Sequence, residues 1–131
     1  MTRVLDAHAL LAYLEKEPGY EKVKAAFLEA VEKDTDLLMT SVNFGEVYYV
    51  ISRECGQQKA DEIEKVIQTL PIEIVPVDLP LAREAARFRA KYEISYGICS
   101  VIALSKLRKA ELLAGGQELI HFKNEAKISW I

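Results

Sequence analysis

The sequence predicts a three-layer α/β/α domain with a mainly parallel sheet of four to five strands, formed by residues 1–131 as one unit. Short apolar runs alternate along the chain with longer segments whose apolar residues recur at helical spacing. Of the 131 residues, 50% are hydrophobic, and the mean hydropathy of +0.02 is typical of a chain with an ordinary core. Because strands separated by helices join through right-handed crossovers, this order favours a parallel sheet that is covered on both faces.

The first half of the chain contains two predicted strands and three predicted helices. Pro18 and Gly19 stop the first helix, and Gly56 closes the third. Ser41 is the expected N-cap of the third helix, because its hydroxyl can accept a hydrogen bond from a backbone N–H of the first turn. In chain order, these elements cover residues 3–6 (strand), 7–16 (helix), 20–34 (helix), 37–40 (strand) and 42–54 (helix).

The second half continues the alternation with three helices and three strands. Pro71 ends the fourth helix, and Asp78 with Pro80 forms an N-cap and first-turn pair for the fifth. The sixth helix is apolar on nearly all sides, which is typical of a helix packed inside a fold. In chain order, these elements cover residues 60–70 (helix), 72–75 (strand), 78–92 (helix), 97–109 (helix), 112–114 (strand) and 127–131 (strand).

Composition excludes several classes of function. With 17 Lys and Arg against 20 Asp and Glu, the formal net charge is -3, so any contact with nucleic acid must be local. No apolar stretch reaches the roughly 20 residues that cross a bilayer, and the N-terminus does not resemble a signal peptide, so we expect a cytoplasmic protein without a membrane span. Cys55 and Cys99 have no zinc-type spacing and are expected to be ordinary thiols.

Two acidic residues stand where a parallel sheet binds ligands, beyond the carboxyl ends of its strands. Asp6 ends the first strand, and Glu46 interrupts an apolar run in the early turns of the third helix. If their carboxylates converge, they form a hard-oxygen site suited to Mg²⁺ or Mn²⁺. The alternative is that Asp6 only caps the first helix and Glu46 is only a solvated helix residue.

Four segments resemble the motifs of PIN-domain proteins, specifically the toxins of VapBC toxin–antitoxin pairs. The resemblance covers essentially the whole chain, and the motifs occur in the family's order. The segments are Val4-Leu5-Asp6-Ala7-His8-Ala9-Leu10-Leu11-Ala12-Tyr13-Leu14, Ser41-Val42-Asn43-Phe44-Gly45-Glu46-Val47, Ile94-Ser95-Tyr96-Gly97-Ile98-Cys99 and Leu112-Leu113-Ala114-Gly115-Gly116-Gln117-Glu118-Leu119.

The resemblance implies metal-dependent cleavage of RNA, with Asp6 and Glu46 as the first two acids of the family's site. The third and fourth acidic positions are occupied here by Ile98 and Gly116. Two carboxylates instead of four should bind Mg²⁺ or Mn²⁺ weakly and make a second ion unfavourable. Glu118 lies two residues beyond the fourth position and is a candidate replacement.

Residues beside the two acids have roles that the sequence leaves open. Glu93, in the loop before the third motif, is another candidate for a replacement acid. His8 is expected to pack at the start of the first helix, with a hydrogen bond to Asp6 or metal ligation as alternatives. Ser41 and Asn43 are expected to support the acids. The expected core or interface aromatics are Phe44, Tyr48, Tyr49 and Trp130.

Partners follow from the same resemblance. It implies a homodimer and a VapB-like antitoxin that lies in a groove made by the helices at 7–16, 20–34 and 42–54. Arg83, Arg87 and Lys91 form a stripe that either contacts RNA phosphates or is simply solvated. The same two interpretations apply to a second basic cluster, which consists of Lys106, Arg108 and Lys109.

Two functions remain open at this level. The first is a VapC-like endoribonuclease with a reduced acidic site. The second is a catalytically inactive PIN-like binding protein that keeps the dimer and the antitoxin groove, motivated by the paired losses at Ile98 and Gly116.

Overall fold

A computed structural model describes residues 2–131 and contains eleven regular strands and α-helices. Their order is β1 (Arg3–Leu5), α1 (Ala7–Leu14), α2 (Tyr20–Glu32), β2 (Leu37–Thr40), α3 (Ser41–Cys55), α4 (Gln57–Thr69), β3 (Ile72–Val75), α5 (Leu79–Tyr92), α6 (Tyr96–Arg108), β4 (Glu111–Ala114) and β5 (Ile128–Trp130). None of the helices within residues 2–131 is both long enough and apolar enough to cross a bilayer.

The five strands form one sheet in the order β3-β2-β1-β4-β5, and every neighbouring pair is parallel. The predicted parallel α/β architecture is therefore confirmed, at the upper end of the expected strand count. The chain builds β1, β2 and β3 in one direction and then places β4 on the other side of β1. This reversal makes the carboxyl ends of β1 and β4 the position where such a sheet binds ligands.

Side chains alternate across the sheet and give it a separate core on each face. Val4 faces the core under α5 and α6, whereas its neighbour Leu5 faces the core under the first four helices. Helix α6 has buried residues on nearly every side, as its composition predicts. Burial on both faces explains why the central strands are short, continuous apolar runs.

Three local predictions need correction. The N-cap of α3 is Thr40, whose side chain accepts from the N–H of Asn43, so the prediction of Ser41 as the cap is wrong. Helix α1 ends at Leu14, before Lys16, and its C-cap residue is already outside helical geometry. A 3-10 helix at Gln117–Phe122 follows β4, in a region where the sequence predicts no regular element.

Candidate active site

A cavity of about 160 Å³ opens at the carboxyl ends of β1 and β4. Four segments that are distant in sequence contribute to it: the start of α1, the early turns of α3, the first turns of α6 and the loop after β4. The residues that line it are Asp6, Ala7, His8, Asn43, Glu46, Ile98, Val101, Gly116 and Leu119. The two acids singled out in the sequence therefore face the same cavity.

Asp6 combines a structural role with a place in the cavity. Its Oδ1 caps α1 by accepting from the Ala9 N–H over 2.7 Å, and the side chain is almost fully buried. Burial raises the pKa of Asp6 from its ordinary 3.8 to about 6, while the backbone N–H groups of Ala9 and Gly115 oppose that rise. Capping and cavity lining are thus compatible, and a buried carboxylate with a raised pKa is a group that a bound cation would stabilise.

Glu46 is oriented by a chain of hydrogen bonds within the first turns of α3. Its Oε1 accepts from Nδ2 of Asn43 over 2.9 Å, and Asn43 Oδ1 accepts from the Thr40 hydroxyl over 2.8 Å. Asn43 and Thr40 are both buried. Because each side chain in this series of hydrogen bonds is held by the next, the carboxylate of Glu46 has a defined position before any ligand binds.

His8 lies on the rim of the cavity and packs against the loop after β4. A methyl group added at Gly115 would lie 2.8 Å from Nε2 and 3.1 Å from Cγ of the imidazole ring. The imidazole ring is also close to Asp6. The electrostatic interaction with His8 favours the ionised carboxylate and so lowers the pKa of Asp6. The structure thus places His8 in tight contact with a glycine backbone beside the acidic pair.

Ser41 is not among the described residues that line the cavity. Its Oγ accepts from the Val77 N–H over 3.2 Å, which ties the loop after β3 to the start of α3. Of the two adjacent hydroxyls, Thr40 supports the acidic pair through Asn43, and Ser41 holds a neighbouring loop.

Aliphatic side chains form an apolar wall of the cavity. Ile98, Val101 and Leu119 line it, and Gly116 lies there without a side chain. Glu118 is exposed on the 3-10 helix, and Glu93 is the exposed C-cap of α5. Neither glutamate is among the described residues that line the cavity.

The donor set fits one hard divalent ion and does not fit two. Mg²⁺ is commonly held by one or two carboxylates and keeps several waters, for which a cavity of about 160 Å³ has room. Within residues 2–131 no group of three or more His, Cys, Asp or Glu side chains is placed to hold a metal ion. Asp6 and Glu46 are therefore the only charged ligands that this part of the chain offers in the cavity.

The basic stripe on α5 is exposed and partly paired. Arg87 Nη1 lies 3.2 Å from Glu84 Oε2, and Lys106 of the second basic cluster lies 3.3 Å from the other oxygen of the same carboxylate. Arg83 and Lys91 are exposed. Phosphate contact by these side chains stays a prediction.

The aromatic residues divide into two groups. Phe44 and Tyr48 are half-buried and pack against the core under the first four helices, and Tyr48 donates to Asp61 Oδ1 over 2.6 Å. Tyr49 and Trp130 are 56% and 39% exposed. The first pair is therefore part of the core, and the second pair is accessible on the surface.

Sequence reasoning places Thr40 at the end of the second strand without giving it a role, and it misses Gly97 as a contributor to this site. Thr40 directly precedes α3 and lies three residues before Asn43, so the spacing of its hydroxyl was the available signal. Gly97 accepts from Asn43 Nδ2 through its carbonyl over 3.1 Å, a contact between residues 54 positions apart. No local pattern reveals such a contact.

The sequence of the chain is similar to those of known proteins. The family model of the PIN domain matches residues 3–125. VapC ribonuclease Mb0640 of Mycobacterium bovis and ribonuclease VapC30 of Mycobacterium tuberculosis are each 28% identical over 125 residues, which cover 90% of this chain and 92% of each relative.

Solved structures show the same fold at lower identity. VapBC2 from Rickettsia felis, bound to a DNA fragment from its promoter, matches with a TM-score of 0.79 and 14% identity over 100% of this chain and 99% of that chain. VapC20 from Mycobacterium tuberculosis, a toxin that cleaves the sarcin-ricin loop, matches with a TM-score of 0.67 and 12% identity. That second match covers 86% of this chain and 87% of VapC20.

Proposed function

The chain belongs to the PIN-domain family, and from that membership and its acidic cavity we propose that it is a VapC-like toxin that hydrolyses RNA phosphodiesters. The 28% identical relatives that span most of its length are named as ribonucleases. The observation that carries the proposal is that Asp6 and Glu46, the first two acidic positions of the family, line one cavity at the carboxyl edge of the sheet.

The chemistry depends on a divalent ion, Mg²⁺ or Mn²⁺, that Asp6 and Glu46 would hold. Bound there, such an ion would supply Lewis acidity, making a water more acidic and offsetting negative charge on a phosphodiester. Glu46 presents its carboxylate in the orientation that Asn43 fixes, and Asp6 presents its carboxylate from a buried cap. Preorganised ligands do not have to reorganise during the reaction, which is the main contribution that a protein makes to a site of this kind.

The aliphatic wall limits the site to a single ion. Ile98 and Gly116 supply no charge where the family has its third and fourth acids, and the adjacent Val101 and Leu119 are also apolar. We therefore expect weak binding with one ion per chain. Mn²⁺ is a suitable probe, because carboxylate and water ligands suit Mn²⁺ as they suit Mg²⁺.

The basic stripe Arg83, Arg87 and Lys91 is proposed as the region that contacts RNA phosphates. All three side chains are exposed on α5, the helix that packs against α6 and its cavity-lining first turns. A chain with a net charge of -3 needs such a local positive region to bind a polyanion.

A VapB-like antitoxin and a second copy of the chain are the proposed protein partners. Solved matches from Rickettsia felis, Salmonella typhimurium and Haemophilus influenzae are VapBC toxin–antitoxin structures. In this chain Leu28 and Val31 of α2 are 61% and 65% exposed, which is an apolar surface on one of the helices expected to form the groove. Replacing both with Glu should prevent co-purification with the antitoxin and leave RNA cleavage intact.

Incubation of the purified chain with structured RNA and Mn²⁺ tests the proposed activity. Cuts that need Mn²⁺ and disappear in Asp6→Asn support it. RNA that stays intact at high protein and Mn²⁺ concentration favours the alternative, a PIN-like binding protein without turnover, which the losses at Ile98 and Gly116 motivate.

A further inference from the structure

The carboxylate of Glu46 lies directly against the backbone of Gly97. Gly97 is a buried residue in the first turn of α6. A methyl group added there would lie 2.7 Å from Cδ and 3.1 Å from Oε2 of Glu46, and closer still to Oε1. Real side-chain carbons do not approach other atoms so closely, so the carboxylate occupies the volume that any larger residue at position 97 would need.

The amide of Asn43 joins the two residues. Its Nδ2 donates to Glu46 Oε1 over 2.9 Å and to the Gly97 carbonyl over 3.1 Å. The same nitrogen thus holds the carboxylate on α3 and the backbone of α6 at a fixed separation. The arrangement depends on close approach, because a wider gap would break one of the two hydrogen bonds.

We propose that Gly97 is a positioning residue, whose missing side chain lets Glu46 rest against the first turn of α6 and face Asp6 across the cavity. The unpaired N–H groups of a first helical turn favour a nearby negative charge, so this place suits a carboxylate. The role of Gly97 in ion binding rests on the proposed function, whereas its contact with Glu46 is independent of any ion.

A purely structural role for Gly97 makes the opposite prediction. Glycine in a helix is less favourable than alanine, so Gly97→Ala should stabilise the chain if nothing occupied the space beside it. If the carboxylate of Glu46 needs that space, Gly97→Ala must either displace it or strain α6. The stability change in the wild-type chain, compared with the change in a Glu46→Ala background, therefore separates the two explanations.

Thermal unfolding of Gly97→Ala in two backgrounds tests the contact without metal. We expect Gly97→Ala to raise Tm when Glu46 is replaced by Ala, and to raise it less or lower it in the wild-type chain, where the added methyl displaces the carboxylate from Asn43. Gly45→Ala is the matched control, since it lies in α3 beside Glu46 and no described atom is within 4 Å of its added methyl. It should raise Tm in both backgrounds.

Calorimetric titration with Mn²⁺ tests the positioning role. Gly97→Ala should weaken Mn²⁺ binding by about 10-fold to 100-fold, the usual effect of losing a residue that orients a ligand. The double variant Gly97→Ala with Glu46→Asp has a shorter acidic side chain, so it should recover part of the Mn²⁺ affinity. Gly45→Ala should leave the Mn²⁺ affinity unchanged.

Each outcome decides the proposal. An equal change of Tm for Gly97→Ala in both backgrounds overturns it, as does failure of Gly97→Ala to fold in both. A less favourable change in the wild-type chain, or folding only in the Glu46→Ala background, supports it. If the wild-type chain binds no Mn²⁺, the proposed function fails, and the difference between the two Tm changes still decides whether Gly97 contacts Glu46.

Discussion

The side-chain amide of Asn43 donates to the carboxylate of Glu46 over 2.9 Å from one turn earlier in α3. Asn43 is itself buried and is held by the hydroxyl of Thr40. One short helical segment therefore carries both the acid and the groups that orient it. The parallel pairing of β1 with β2 brings Asp6 to this segment, and the packing of α6 against α3 brings Gly97.

Asn43→Ala should reduce both stability and ion binding. The substitution leaves the O–H of the buried Thr40 without its acceptor and removes one hydrogen bond to the Gly97 carbonyl, which together cost about 1–3 kcal/mol in the free energy of unfolding. Glu46 also loses its donor, so Mn²⁺ affinity should fall by about 10-fold or more. Urea unfolding and calorimetric titration measure the two effects.

Ser41→Ala is the control for that prediction. Its hydroxyl accepts from the Val77 N–H and does not contact the acids, so stability should fall by about 1 kcal/mol with Mn²⁺ affinity unchanged. Equal losses of Mn²⁺ affinity in both variants would contradict the assignment of Asn43 as the residue that orients Glu46.

Asp6→Asn should abolish Mn²⁺ binding and stabilise the fold at neutral pH. Because burial raises the pKa of Asp6 from 3.8 to about 6, the folded state holds its proton more tightly than the unfolded state does. The ionised carboxylate therefore lowers the free energy of unfolding. This loss of stability is absent below pH 3.8, grows as the pH rises toward 6 and is complete above it. Asn keeps the cap on α1 without that charge, so the variant should be about 2–3 kcal/mol more stable above pH 6.

Urea unfolding of both proteins at pH 4 and pH 7.5 checks this prediction, since the difference should be small at the lower pH. Asp78→Asn is the control, because Asp78 caps α5 through Leu81 in the same way but lies outside the cavity. A stability difference for Asp6→Asn that does not depend on pH would contradict the burial argument.

Ile98→Asp combined with Gly116→Asp should strengthen ion binding. Both positions line the cavity, and a side chain at Gly116 meets only Leu119 Cδ1 at 3.8 Å within the described part of the chain. Affinity for divalent ions rises with the number of charged ligands, so we expect Mn²⁺ to bind at least about tenfold more tightly. The control is Ile120→Asp, on the exposed side of the 3-10 helix, which should leave the Mn²⁺ affinity unchanged. If the double variant also leaves the Mn²⁺ affinity unchanged, positions 98 and 116 do not share a cavity with the two acids.

Arg83→Gln with Lys91→Gln should weaken RNA binding and make it less dependent on salt. For each lost phosphate contact, about one counterion fewer is released from the RNA on binding. The slope of the log binding constant against the log salt concentration should therefore fall in magnitude by about one to two. Filter binding at several salt concentrations measures the slope. Lys59→Gln with Lys65→Gln, on α4, removes the same charge, and an equal effect there would show that only net charge matters.

The sequence was sufficient to predict the parallel architecture and to single out Asp6 and Glu46 as candidates, because parallel strands bring their carboxyl ends to one edge. It was insufficient at contacts that tertiary packing decides. Thr40 and Ser41 have similar capping propensity, and only the Val77 N–H, 36 positions away in sequence, distinguishes their roles. The contact between Gly97 and Glu46 also joins distant segments, so no periodicity in either segment indicates it.

The most direct test of the account is an anomalous difference map from a crystal of the wild-type chain soaked in Mn²⁺, with data collected on both sides of the manganese absorption edge. The account predicts one peak per chain between the carboxylates of Asp6 and Glu46, and none in a crystal of Asp6→Asn treated in the same way. A peak that avoids these two residues, or a cavity without a peak at saturating Mn²⁺, would contradict it.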